Sequence, residues 1–155
     1  MQNGSQLDVA AFFEKCAYPC PKGLSRYDFQ YLTGGWFEEY VYYLIQRDIN
    51  PTDIKIGVKL NETNNDLDVV FTKNNSLYVV ECKTGIEGGS MLNQIAYKCA
   101  ALNDYLRGLS AKSFVFALAK DDIDAKIPKS MGVSYFGRKY FTDQETYCIL
   151  VDSIG

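Results

Sequence analysis

Three charged residues interrupt two apolar stretches: Asp68 in LDVVFTK, and Glu81 and Lys83 in SLYVVECK, with Asn74-Asn75 between the two. Asn tolerates the positive φ of a two-residue turn. With the turn there, paired residue numbers sum to 149, so Lys73 faces Ser76, Val70 faces Val79 and Asp68 faces Glu81. Opposed residues hold their Cβ atoms about 4.5–5.5 Å apart. The two-residue period of a strand puts Lys83 on the same side. Two opposed carboxylates destabilise a sheet, and more so where they are buried. A divalent cation removes that penalty. Mg²⁺ and Mn²⁺ take oxygen ligands and keep several waters. Asp68 and Glu81 can hold such an ion from two strands, and the backbone carbonyl of Cys82 can add a ligand. Lys83 beside the ion can orient or deprotonate a water, or stabilise negative charge on a phosphate. The plainer alternative is a Lys83–carboxylate ion pair at a wet sheet edge.

Further positions join this group. In GGWFEEYVYYLI, a 100° helical step puts Glu38 within about 60° of Val41 and about 20° of Ile45, on the stripe expected to be buried. Glu39 falls on the far side. Glu38 is therefore a further candidate ligand, and Gly34 and Gly35 are expected to let its helix start close to the sheet. Gln94, early in the helix after Lys83, is placed to bind substrate or a metal-bound water. Lys98, Arg107, Lys112, Lys126, Lys129, Arg138 and Lys139 supply positive charge, and KIPKSMGVSYFGRKY (126–140) mixes basic and aromatic residues in a way that suits a nucleic-acid strand. A solvated surface is the competing reading for each of these.

The elements that must position these residues are legible in outline. Residues 5–17 read as a helix, broken by YPCPKG. TGG is expected to open a second helix, ended by Asn50-Pro51. Strands are expected at 53–60, 67–73 and 76–83. An amphipathic helix follows at about 90–107, carrying Leu92, Ile95, Ala96, Cys99 and Leu102. SFVFALA (113–119) is a continuous apolar run, the pattern of a strand covered on both faces. DDIDAKI reads as a short helix, and VSYF and TYCILVD as strands. The order α, β, β, β, α, β predicts a layered α/β domain with a mixed sheet.

Composition narrows the chemistry. The chain contains no histidine, which removes Ser-His-Asp and Cys-His nucleophile systems and His-ligated zinc. Five cysteines, at 16, 20, 82, 99 and 148, match no disulfide framework and read as free thiols in a reducing compartment. No apolar run approaches the roughly 20 residues that span a bilayer, and MQNGSQLDVAAFF lacks the pattern of a secretory signal. The expectation is a cytoplasmic protein with no membrane partner. A net charge of −3 argues against coating nucleic acid non-specifically, yet acidic metal ligands can offset a local basic patch in a nucleic-acid enzyme.

Asp68, Glu81 and Lys83, after a helix bearing Glu38, resemble the motif of the PD-(D/E)XK nuclease superfamily, with Leu67 where a proline often stands. GGWFEEYVYYLI, LDVVFTKNNSLYVVECKTG and the Ala- and Leu-rich helix narrow this over residues 30–120. They resemble the nuclease domain of CRISPR ancillary effectors, in which a CARF sensor domain binds cyclic oligoadenylate. The resemblance implies a restriction-endonuclease-like α/β/α core (αβββαβ) with a central mixed sheet, as a nuclease domain over 30–155 behind a helical extension over 1–29. It implies Mg²⁺- or Mn²⁺-dependent cleavage of DNA or RNA in antiviral defence, by a homodimer. Asp68 and Glu81 carry over as metal ligands, Lys83 as the catalytic lysine, and Glu38 as a further catalytic or metal-binding residue. Gln94, Lys98, Arg138 and Lys139 are the expected substrate contacts. The residues before 30 are too few for a Rossmann-like sensor. The sequence is thus expected to be an excised nuclease domain or a stand-alone relative whose regulator lies elsewhere. A non-catalytic binding or dimerisation module on the same fold is the alternative. A phosphohydrolase acting on small nucleotides is a third reading, which the absence of GxxxxGK[ST] disfavours.

Overall fold

The structure, a computed structural model, describes residues 23–61, 66–86, 88–106, 111–118 and 130–154. The expected helices at 5–17 and in DDIDAKI, and Cys16, Cys20, Arg107, Lys126 and Lys129, lie outside the described residues.

The first helical rod starts earlier than TGG. Helix α1 (Arg26–Gln30) runs through a π-helical turn, Tyr31–Gly35, into α2 (Trp36–Leu44), which ends in a second π-helical turn, Ile45–Ile49. Its start is fixed by a reciprocal cap. Ser25 Oγ accepts from the Asp28 N–H, and Asp28 Oδ2 accepts from the Ser25 N–H at 2.7 Å. The two glycines do not bring the rod onto the sheet. A Cβ on Gly34 would meet nothing within 4 Å, and one on Gly35 would meet only its own turn, at Tyr31 3.4 Å away. They sit instead where the helix widens into the π-turn. The rod ends as expected at Asn50, whose left-handed φ of 49° precedes Pro51.

Strands β1 (Asp53–Lys59), β2 (Asp66–Lys73) and β3 (Ser76–Lys83) form an antiparallel meander. Asn74 and Asn75 take φ of 50° and 59°, the two positive values that the hairpin needs. The ladder runs from Lys73↔Ser76 to Val69↔Val80, which is the register expected from the turn. Helix α3 (Gly89–Tyr105) then crosses to β4 (Ala111–Ala117), parallel to β3, and β5 (Val133–Phe136) adds a further parallel strand. The result is a mixed sheet in the order β1-β2-β3-β4-β5.

Each face of the sheet is covered. Phe37, Val41, Leu44, Ile45 and Ile49 of the first rod pack on Val69, Phe71, Val80, Phe114 and Phe116. On the opposite face Leu92, Ile95 and Cys99 of α3 pack on Val115 and Val133, while Leu102 meets Leu67 and Val79. This is the expected α/β/α arrangement, and the central strands β3 and β4 are buried along most of their length.

The C-terminal segment departs from expectation. TYCILVD is not a strand. After the short helix α4 (Lys139–Thr142), it belongs to α5 (Gln144–Ile154). Asp143 accepts from the Thr146 N–H at 2.9 Å, an N-cap that strand reading overlooked. Tyr147, Val151 and Ile154, at helical spacing, close over the first core cluster.

Candidate active site

At Asp68 the sheet stops behaving as a regular sheet. On the β1 side, pairs run from Asp53↔Thr72 to Ile56↔Val69 and resume at Val58↔Leu67. The skipped rung sets Gly57, at φ +63°, against Asp68. That conformation suits glycine and turns β1 locally away from its neighbour. On the β3 side the ladder ends at Val80, and Asp68 Oδ2 accepts the Cys82 N–H at 2.7 Å. A carboxylate thus takes the place of a backbone acceptor where β2 and β3 part.

Glu81 is 6% exposed, the one buried carboxylate among the described residues. Lys83 Nζ stands 2.7 Å from Glu81 Oε1 and 3.8 Å from Asp68 Oδ2. The Asp68↔Glu81 rung expected from the turn does not form, because the strands part there, yet the Lys83 ammonium joins both carboxylates. This is no edge ion pair, because β3 lies inside the sheet between β2 and β4.

Glu38 lies close enough to feel the charge of this group. It is half-buried on α2, and its carboxyl is pushed up by burial and then by the charge of Asp68, with Glu81 acting in the same direction and Lys83 opposing. Glu39 points outward and accepts from the Tyr31 hydroxyl at 3.0 Å. The Asp68 carboxyl is raised by burial and by Glu81, against the Cys82 N–H and the lysines. Burial works against the Lys83 ammonium, but Glu81 and Asp68 outweigh it, so the net shift is upward and the group stays protonated. Lys83 is thus held as an ammonium between the two carboxylates. The Cys82 and Cys99 thiols are raised by burial, Cys99 to about 12, so neither is a ready nucleophile. Cys82, Cys99 and Cys148 are free.

The other expected residues divide by position. Lys98 reaches across from α3 and holds Glu81, at 2.9 Å from Oε2 and 3.0 Å from Oε1. Gln94 is exposed one turn earlier on the same helix face. Arg138 and Lys139 are exposed just past β5. The row Cys82↔Phe116↔Phe136 puts them at the sheet end that carries Lys83, two strands over and roughly 10 Å away. Lys112 sits elsewhere: it pairs with Tyr78, whose ring it overlies at 5.2 Å, five residues or roughly 16 Å along β3 from Lys83. Of the named basic supply, Lys112 is thus a structural contact at the far end of the sheet.

Sequence reasoning missed one tie. Thr84 Oγ1 donates to the Thr33 carbonyl at 2.7 Å, joining the exit of β3 to the π-turn ahead of Glu38. The TGG motif was visible, but its role was not.

A divalent metal suits these donors in kind. Asp68 and Glu81 share Lys83 with no histidine or accessible thiol beside them, which is the oxygen chemistry of Mg²⁺ and Mn²⁺. The Glu38 and Asp68 carboxyls are raised first by burial and then by neighbouring carboxylates, and a cation offsets both effects. As they stand, no three His, Cys, Asp or Glu side chains among the described residues form a preorganised metal cluster. Both Glu81 oxygens are held by lysines. Among the described residues no helix is long and apolar enough to cross a membrane.

No curated protein sequence matches the chain. Among solved structures, VC1899 from Vibrio cholerae aligns with a TM-score of 0.66 at 22% identity over 94% of this chain and 41% of that one. Can2 from Sulfobacillus thermosulfidooxidans, solved in complex with cyclic tetra-adenylate, aligns with a TM-score of 0.66 at 20% identity over 98% of this chain and 46% of that one. The chain thus spans less than half the length of either protein, and the likeness is one of fold. A family model describing a Card1-like endonuclease domain matches residues 25–139, which include Glu38, Asp68, Glu81, Lys83 and Lys98. The chain belongs to the Card1-like endonuclease domain family.

Proposed function

We propose that this domain cleaves phosphodiester bonds of DNA or RNA with the help of Mg²⁺ or Mn²⁺. The observation that carries the reading is a buried carboxylate, Glu81, sharing one ammonium, Lys83, with Asp68 at the point where the hairpin opens. Asp68 and Glu81, with the Cys82 carbonyl, would hold the metal, and Glu38 would complete the acidic set. When bound, the ion supplies positive charge that polarises a phosphate and lowers the pKa of a water. Lys83 keeps its proton and donates to a non-bridging phosphate oxygen, stabilising charge as it builds up. Glu38, half-buried on α2, would take up a proton from the attacking water. Gln94, Arg138 and Lys139 lie on the exposed approach to this end of the sheet, with Lys98 behind them.

The family match and the fold shared with Can2 support a place in CRISPR-type antiviral defence. A cytoplasmic location belongs to the same proposal. A regulator outside this sequence and a homodimeric assembly belong to the same proposal. So does the division into an extension over 1–29 and a nuclease domain over 30–155. The test is cleavage of labelled single- and double-stranded DNA and RNA with Mn²⁺, Mg²⁺ or EDTA. Cutting that requires metal and disappears in Glu81→Ala supports the reading. Cutting that persists in EDTA or in that variant rejects this site as its source.

A further inference from the structure

Glu81 carries two lysines where the proposed chemistry needs one. Lys83 is tied to the site twice, through Glu81 at 2.7 Å and Asp68 at 3.8 Å, and stands on the same strand as Glu81. Among the described residues Lys98 pairs with Glu81 alone, from α3 across the gap, and its side chain is 35% exposed. A dication on Glu81 repels an ammonium held by the same carboxylate, and the ammonium with fewer ties is the one it displaces. Lys98 is the one with a single contact and a route to solvent.

Resting on the metal-dependent reading above, we propose that Lys98 is a displaceable counter-ion to Glu81 that competes with the divalent cation for that carboxylate. It keeps a buried acid paired until metal arrives, since an unpaired buried charge is costly. Once displaced, its ammonium is open to a substrate phosphate, which fits its place one turn from the exposed Gln94.

The test is Mn²⁺ binding to the full chain without nucleic acid, by titration calorimetry, with folding checked by circular dichroism. Lys98→Met should bind Mn²⁺ more tightly than wild type by about tenfold, the factor that a coupling of about 1.4 kcal/mol gives. Lys98→Arg keeps the charge but grips a carboxylate bidentately, so it should bind Mn²⁺ more weakly than wild type. The order Met, Lys, Arg in falling affinity supports the proposal. Equal affinity for Lys and Arg, or no gain with Met, overturns it: the first outcome leaves only a general field effect, and the second leaves no competition. Glu81→Gln separates this from the underlying reading. If Mn²⁺ binds that variant as well as wild type, the metal site itself has been misplaced.

Discussion

Replacing Glu81 by Gln keeps its shape and removes its charge, and the structure predicts a clear loss of stability without metal. Glu81 is 6% exposed, with ammoniums at 2.7 and 2.9 Å. At an effective dielectric of about 20, each contact represents roughly 6 kcal/mol of gross attraction. Desolvation of the three groups offsets most of it. What matters is the state left behind: two ammoniums converging on a neutral amide. Removing one partner of a buried pair costs about 3–5 kcal/mol. The lysine side chains, 29% and 35% exposed, can partly escape to water, which favours the lower end, about 3 kcal/mol. For a domain of this size that lowers Tm by roughly 6–12 °C. Thermal and urea unfolding in EDTA, at neutral pH, would measure it. A Glu81→Gln protein as stable as wild type would show that the lysines do not depend on this carboxylate and would refute the electrostatic account of the site.

Glu38→Gln should act in the opposite direction. Burial and Asp68 raise the Glu38 carboxyl, so the folded state binds its proton more tightly than the unfolded chain, and stability falls as pH rises from the ordinary value of 4.5. In EDTA the variant should gain about 0.5 kcal/mol near neutral pH and show a flatter decline from about pH 4.5 upward, read from urea midpoints across pH. At the hairpin, Asn75→Gly should keep or raise Tm, whereas Asn75→Val should lose about 1 kcal/mol or more, because φ of +59° suits glycine and strains a β-branched residue. Asp143→Ala removes the cap of α5 and should cost about 1 kcal/mol in chemical unfolding.

Much of the site could be read from residues 67–83, and the reason is geometric. An Asn-Asn turn fixes register, register fixes which side chains face one another, and a period of two fixes the face. What the hairpin could not show was its breakdown. Gly57 opposite Asp68, and the Cys82 N–H given to a side chain, come from a third strand and from local splaying. Lys98 was visible only as one basic residue among several. Its grip on Glu81 depends on how α3 crosses the sheet, which helical periodicity alone does not specify. Helix α5 was misread because TYCILVD is rich in β-formers, and tertiary packing of Tyr147, Val151 and Ile154 overrode that preference. The start of α1 was legible in Ser25 and Asp28, but two adjacent glycines drew attention to the later TGG.

The central claim is that Lys83, held by Glu81 and Asp68, stabilises charge on a phosphate during metal-dependent cleavage. The direct measurement is the single-turnover cleavage rate of wild type and Lys83→Met, in saturating Mn²⁺ and at enzyme concentrations where both bind the nucleic acid fully. The account predicts a rate reduced by about 10²–10³-fold with binding nearly unchanged, as when a preorganised transition-state donor is removed. An unchanged rate with Lys83 absent would contradict it.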